Sequence, residues 1–293
     1  MKAKSNIKFF VLLCLTALFL HCEKEDVNSS KLQLRKASST CSYGDIHNDF
    51  MDMANAEFEI DTTVTSKTQA IRQLTDFYVN RTSSYTKLSS DDRNILAESI
   101  ENNNDLFDAQ TSINVIFDRN LVNNPWRGRS TLTVLIDDLN ANAVISSNET
   151  AQIRATVTLV RDAIQGRVNL NDFEQKLTQL SADNVGKNYD FLNPALCVGE
   201  SSLSWWRNTS PDLFLDQQVI SPSNPQYQTN ALPDVVGVDI AGAIVGAAVS
   251  ASIQYGVTRN VNWKIVGLTA VAGAITSSIG VIGKLGKWIS NLF

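Results

Sequence analysis

The sequence predicts an all-α protein, an antiparallel helical bundle followed by a Gly/Ala-rich helical hairpin. Two observations favour this fold class. Apolar residues in the body recur at three- and four-residue intervals, the period of an amphipathic helix, and no sustained apolar–polar alternation typical of strands interrupts them. The end of the chain then holds two long apolar stretches rich in glycine and alanine. We expect five segments, which are residues 1–21, 22–44, 45–190, 191–234 and 235–293.

The body, residues 45–190, has the sequence features of six or seven antiparallel helices around one core. The clearest helix start is Ser146, which has capping-box spacing with Glu149. Asn171 and Glu174 repeat that spacing before the next helix. The apolar stripes begin at Ile46, Ile71, Ile95, Leu106, Leu132, Ile153 and Phe173. We therefore predict a helical ectodomain, with the segment 22–44 as a flexible tether before it.

The N-terminus has the pattern of an export signal. Three lysines precede a short apolar run at residues 9–20, and His21-Cys22 is followed by an acidic run at 23–26. This pattern resembles the signal peptides of bacterial lipoproteins, although residues 18–21 lack the small residue usual before the cysteine. It is also similar to lipoproteins of the Bacteroidota, in which acidic residues after the cysteine accompany export to the cell surface. The alternative is an ordinary secreted protein that carries Cys22.

The lipoprotein resemblance implies cleavage after residue 21, lipidation of Cys22 and attachment to the outer membrane, at the cell surface of a Gram-negative bacterium. Two or more acyl chains on Cys22 suffice for stable attachment, so membrane lipid is the expected partner. Without residues 1–21, which hold three lysines and no acid, the formal charge falls from −5 to −8. An acidic chain argues against a nucleic-acid partner, and the sequence indicates no particular protein partner.

Two cysteines remain if the signal is removed and Cys22 is acylated, namely Cys41 and Cys197. In an oxidising envelope they can form a disulfide bond that ties the start of the body to the segment after it. Two separate thiols are the alternative.

Residues 191–234 are punctuated by prolines and rich in Ser, Asn and Gln. The pair Trp205-Trp206 lies within them. Paired tryptophans in such a segment favour either a packing element that closes onto the bundle or a binding or membrane-interface element. We therefore predict a linker or packing segment here.

The catalytic motifs of common enzyme classes are missing from the sequence, so we predict a protein that is not an enzyme and has no cofactor. His47 is the one histidine outside the signal, and we expect it at the surface or in a helix cap. Asp45, Asp49 and Asp52 share a helical face with it, which can hold a hard cation. A solvated acidic face explains the same spacing, and we predict no metal site.

The segment 235–293 has small residues every four positions, which places each set on one helix face. Gly242 and Gly246 mark the face on the first stretch, and Ala270 and Ala274 mark it on the second. A short polar turn joins the two stretches. We therefore predict a hairpin whose small-residue faces pack together, followed by an amphipathic tail.

The hairpin has two interpretations. Its length and its flanking residues Trp263, Lys264, Lys287 and Trp288 are typical of a membrane-associating element with interfacial anchors. A hairpin buried inside a larger soluble fold has the same composition, and Asp239 within the first stretch disfavours a membrane centre. We favour the first interpretation, a lipid-anchored envelope protein without enzymatic activity whose hairpin, residues 235–293, is a second membrane contact. The alternatives are a ligand-binding or adhesion ectodomain with the hairpin buried structurally, and a toxin-like protein that permeabilises membranes.

The run from Asp239 to residue 248 resembles the glycine-zipper tails of uncharacterised Bacteroidota proteins, which often carry a serine- and tryptophan-containing stretch upstream, like 201–206 here. It is also loosely similar to the Gly/Ala-rich peptides of two-component bacteriocins. The first resemblance implies no known activity. The second implies permeabilisation of a membrane by helix association.

Overall fold

The architecture is described by a computed structural model, for residues 42–57, 59, 63–80, 88–103, 109–208 and 231–279. The described residues form ten α-helices and one small β-hairpin. The all-α prediction is confirmed. The helices are α1 Ser42–Asp52, α2 Lys67–Asn80, α3 Ser90–Asn103, α4 Ala109–Ile116, α5 Leu132–Ala141, α6 Ser147–Ile164, α7 Leu170–Asn184, α8 Leu192–Asn208, α9 Ala231–Thr258 and α10 Trp263–Ile279.

Two local features were not predicted. A π-helical turn, Met53–Glu57, follows α1. Strands β1 Val122–Asn124 and β2 Gly128–Ser130 pair antiparallel around Pro125, with Val122 opposite Ser130. The strands are too short for an alternating pattern to appear in the sequence. The hairpin is fixed to α5 by Asp138, which accepts bonds from Asn124 at 2.8 Å and from Arg127 at 2.9 Å.

The helix starts follow the capping chemistry of the sequence. The Ser146 hydroxyl accepts the Glu149 amide at 3.1 Å, as the capping spacing predicts. At α7 the prediction is wrong by two residues, because Asn169 is the N-cap and accepts the Asp172 amide at 2.9 Å. Asn169 and Asn171 offer the same cap chemistry, so the sequence does not distinguish them.

The hairpin helices α9 and α10 occupy the centre of the body. Helix α9 packs against α10 and is surrounded by α4, α5, α6, α7, α8 and β1. Helix α10 packs against α1, α3, α4 and α8. Both are apolar on every side rather than on one stripe, which is the composition of a helix with no solvent-facing side. The amphipathic helices therefore form a shell around the hairpin.

The segment boundaries differ in part from those expected. Helix α1 begins at Ser42, inside the predicted tether, and residues 192–208 form the regular helix α8 of the shell rather than a linker. The signal at 1–21, the prolines of 209–230 and the tail at 280–293 lie outside the described residues.

Candidate functional site

Buried polar side chains meet where α1, α8, α9 and α10 come together. We call this group the core polar cluster, and it comprises His47, Ser202, Trp206, Asp239 and Ser278. The two charged members, His47 and Asp239, are 0% exposed, and Trp206 is 1% exposed. Each member comes from a shell helix or a hairpin helix, so the cluster links the two parts of the fold.

Asp239 is the centre of this cluster. It lies within α9, past the first two turns. Its Oδ2 accepts the Ser202 hydroxyl at 2.5 Å and the Trp206 indole N–H at 3.1 Å, and its Oδ1 accepts the Ser278 hydroxyl. Burial raises the pKa of Asp239, against the opposing effects of His47 and the three hydrogen bonds.

His47 is buried, so the prediction of a surface or capping histidine is wrong. Its Nε2 lies 3.1 Å from Ser278 Oγ and 3.9 Å from Asp239 Oδ2. Its Nδ1 lies 3.0 Å from the side-chain oxygen of Asn48, whose amide nitrogen donates to the Ser201 carbonyl. Both ring nitrogens thus face oxygen atoms. The Asn48 oxygen can only accept, so Nδ1 donates to it, whereas the Ser278 hydroxyl can donate to Nε2 or accept from it.

The Ser–His–Asp composition of this cluster differs from a nucleophilic triad in geometry. In a triad the carboxylate orients the histidine and the histidine accepts the serine proton. Here Ser278 donates to Asp239 directly, and it lies between the carboxylate and the ring. The three side chains are also 0% exposed, so a substrate has no access to them. The arrangement can orient helices, and it does not place a nucleophile at a surface.

Further polar contacts fix α8 and α10 to the shell. The Trp205 indole donates to Asp52 at 2.6 Å, while its ring packs edge-on against Trp206 at 4.7 Å. The hydroxyls of Ser112 and Ser277 lie 2.8 Å apart and join α4 to α10. The tryptophan pair is therefore a packing element, which was one of its two predicted roles.

Two more carboxyl groups are buried away from the cluster. The Glu149 carboxylate accepts the Phe191 and Leu192 amides at 3.1 and 3.2 Å, so it caps α8 instead of closing the capping box on its own helix. Burial raises the pKa of Glu149 to about 7, more than these bonds lower it. Burial also raises the pKa of Asp234, in the first turn of α9, to about 7.

The predicted helix-packing face lies between α9 and α10. A Cβ on Gly242 would overlap the Gly273 carbonyl oxygen and stand 2.7 Å from its carbon. A Cβ on Gly246 would overlap the Thr269 carbonyl and stand 3.2 Å from the Cα of Ala270. Ala270 and Ala274 are 0% exposed. Both glycines therefore permit direct contact between the two backbones.

Cys197 takes part in a disulfide bond. Its expected partner, Cys41, precedes α1 and lies outside the described residues. Gly44 brings the two helices together, because a Cβ there would stand 2.5 Å from the Cys197 carbonyl oxygen. The Cys41–Cys197 pairing stays a prediction, and this close approach of α1 to α8 agrees with it.

Two of the predicted membrane-interface residues have contacts within the body. Trp263 is half-buried and packs against the core, and the Lys264 ammonium lies 2.7 Å from an Asp92 carboxylate oxygen. Lys287, Trp288 and the predicted lipidation site Cys22 lie outside the described residues. Contacts within the protein thus account for the positions of Trp263 and Lys264.

One described helix, Leu232–Thr258, is long and apolar enough to cross a membrane, and 89% of its most apolar window is buried inside the body. In the described ranges, no group of three or more His, Cys, Asp or Glu side chains could hold a metal ion. Asp45, Asp49 and Asp52 therefore do not form such a site with His47.

Sequence reasoning missed the core polar cluster. A signal for it existed, because an acid inside an apolar stretch needs a buried partner and the body has a single histidine. Comparison with family models, characterised proteins and solved structures finds no match to this chain.

Proposed function

We propose that this chain is a lipid-anchored envelope protein without enzymatic activity, whose helical body is a binding or adhesion ectodomain built around the α9–α10 hairpin. The observation that carries the proposal is the enclosure of the hairpin. Asp239 meets Ser202 and Trp206 of α8, and Gly237 packs against Ala163 of α6. The residues of both hairpin helices are mostly inaccessible to solvent. The hairpin then serves as the hydrophobic core that the shell helices cover.

The core polar cluster supports the same proposal. If the hairpin left the body for a membrane, Asp239 would lose the Ser202 and Trp206 donors, and His47 would be left without Ser278. A buried polar group that is left without its hydrogen-bond partner costs about 1–3 kcal/mol. Those contacts favour retention of the hairpin over its association with lipid.

The anchor rests on the sequence and on redox chemistry. Residues 1–21 and Cys22 resemble a lipoprotein signal, and the acidic run after the cysteine is typical of surface export in the Bacteroidota. The disulfide at Cys197 agrees with an oxidising compartment outside the cytoplasm. We therefore place the mature chain at the outer membrane, attached through acyl chains on Cys22.

The absence of enzymatic activity is proposed from the geometry of the core polar cluster. Its Ser, His and Asp side chains are enclosed by four helices and serve one another as hydrogen-bond partners. Groups held in this way orient helices and do not contact a substrate.

The test compares two forms of the mature chain, both carrying Cys22→Ala to remove the lipid. One keeps residues 235–293 and the other lacks them. We expect the first form to be soluble and to melt cooperatively, and the second to lose its cooperative melt, because its core is gone. If the form without residues 235–293 still melts cooperatively, that result would contradict the proposal and favour a membrane-associating or permeabilising hairpin. Retention of the first form in membranes after a high-salt wash would do the same, because salt releases a surface contact but not an inserted hairpin.

A further inference from the structure

The turn between α9 and α10 lies beside the β1–β2 hairpin. A Cβ on Gly256 would stand 2.5 Å from the Pro125 Cβ, and the rings of Trp126 and Tyr255 are 5.9 Å apart. The two turns therefore form one continuous end of the body. We call it the turn-end surface, and its members are Arg119, Leu121, Trp126, Arg129, Val257 and Arg259.

This surface exposes apolar side chains. Leu121 is 44% exposed and Val257 is 51% exposed, and these are two of the four large apolar side chains that stand out into solvent among the described residues. The half-buried rings of Trp126 and Tyr255 lie near them. Aromatic rings and exposed aliphatic chains together are the groups that prefer a membrane–water interface.

The same surface carries three arginines that have no carboxylate partner in the described part of the chain. Arg119 lies over the Phe117 ring at 4.9 Å and Arg259 over the Tyr255 ring at 5.4 Å. Arg129 donates to the Leu121 carbonyl at 2.9 Å. Each contact orients a guanidinium group and leaves its charge uncompensated.

The other charges at this end are paired. Arg127 binds Asp138 at 2.9 Å, Lys264 binds Asp92 at 2.7 Å and Arg161 binds Asp118 at 2.9 Å. On the side of Lys264 and Asp92 the neighbouring Asp91 is exposed and adds negative charge. The uncompensated positive charge is therefore confined to the β-hairpin side. A local excess of positive charge in a chain with formal charge −5 needs an explanation.

We propose that the turn-end surface docks on an anionic lipid bilayer. Its three arginines would approach the lipid phosphates while Leu121, Val257 and Trp126 enter the headgroup region. At physiological ionic strength charges act over about 8 Å, so the local arginines outweigh the acidic remainder of the body. The partner follows from charge complementarity and from the aromatic and aliphatic groups between the arginines.

This inference rests on the proposed function for its membrane, but the surface can be tested without the lipid.

The test uses the full mature chain with Cys22→Ala, sedimented with vesicles of phosphatidylcholine alone or mixed with phosphatidylglycerol. We expect binding to the anionic vesicles only, weakened by added salt. The variant R119Q/R129Q/R259Q should bind on the order of 100-fold more weakly, since each cation near such a surface contributes about fivefold.

The matched control removes the same charge elsewhere. Arg167, Lys176 and Arg207 are exposed. Arg167 follows the end of α6, Lys176 lies on α7 and Arg207 lies on α8, all away from the turn. Their triple substitution by glutamine should leave vesicle binding unchanged. Melting curves of both variants check that each one folds.

Three results would overturn the docking proposal: no binding to anionic vesicles, equal losses in both triple variants, or tighter binding to a soluble acidic polymer such as polyglutamate than to vesicles. Failure of the anchor is a separate result. If mass spectrometry of the purified protein finds no acyl chains on Cys22, that result contradicts the proposed function. Vesicle binding by the unlipidated chain would still support the docking surface.

Discussion

Gly242→Ala tests the claim that the backbones of α9 and α10 are in direct contact. The new Cβ would stand 2.7 Å from the Gly273 carbonyl carbon, where carbon atoms pack best at about 3.5–4.0 Å. One helix must move by about 1 Å, and that shift opens gaps along the whole interface. Overpacking of this kind costs about 1–3 kcal/mol or more, so after the gain in helix propensity we expect a loss of about 2 kcal/mol.

The control for this variant is Gly237→Ala on the same helix. A Cβ there would meet the Ala163 Cβ at 3.4 Å, an ordinary contact, and alanine gains up to about 1 kcal/mol of helix propensity. Thermal melts of the unlipidated mature chain measure both variants. For a body of this size we expect Gly242→Ala to lower Tm by about 4–8 °C and Gly237→Ala to leave it equal or higher. Equal melting temperatures for the two variants would refute close backbone packing.

Three further predictions concern buried polar groups. Folding raises the Glu149 pKa from 4.5 to about 7, so the folded chain holds this proton more tightly than the unfolded chain. The stability from this group is complete below pH 4.5 and is lost as pH rises through 7. Glu149→Gln should therefore match the parent in urea unfolding near pH 4.5 and exceed its free energy of unfolding by about 3 kcal/mol above pH 7. Asp239→Ala should lower the free energy of unfolding by about 3–5 kcal/mol, because it leaves His47 and three buried donors without their acceptor; a loss below about 1 kcal/mol would show that the cluster is not formed. Cys197→Ser should lower the free energy of unfolding by about 2–4 kcal/mol, and a reducing agent should lower the urea midpoint of the parent to that of the variant. A parent midpoint that does not change on reduction contradicts the disulfide.

Much of the fold could be predicted because it depends on local chemistry. The period of Ile153, Val157 and Val160 defines one face of α6, and the Ser146 hydroxyl starts that helix by capping an amide within the same turn. The small-residue spacing of Gly242 and Gly246 likewise indicated a close helix pair before any partner was known. These features involve residues within a few positions of one another, so the sequence displays them directly.

The core polar cluster could not be predicted in the same way. His47 and Ser278 are separated by 231 positions, and no local pattern relates them. The Glu149 side chain shows the same limit, since its expected role was to close a capping box and its actual partners are the amides of Phe191 and Leu192. A side chain with two chemically equal options takes the one that the packing of other helices brings near.

The sequence by itself determined that this chain is helical, that its end is an apolar hairpin with small-residue faces, and that its beginning has the pattern of a lipoprotein signal. Only the tertiary structure decided what surrounds the hairpin. A helix that is apolar on every side has the same composition whether lipid or protein encloses it. The shell helices enclose α9 and α10, and Ser202 and Trp206 of α8 supply the hydrogen-bond donors that Asp239 lacks within its own stretch.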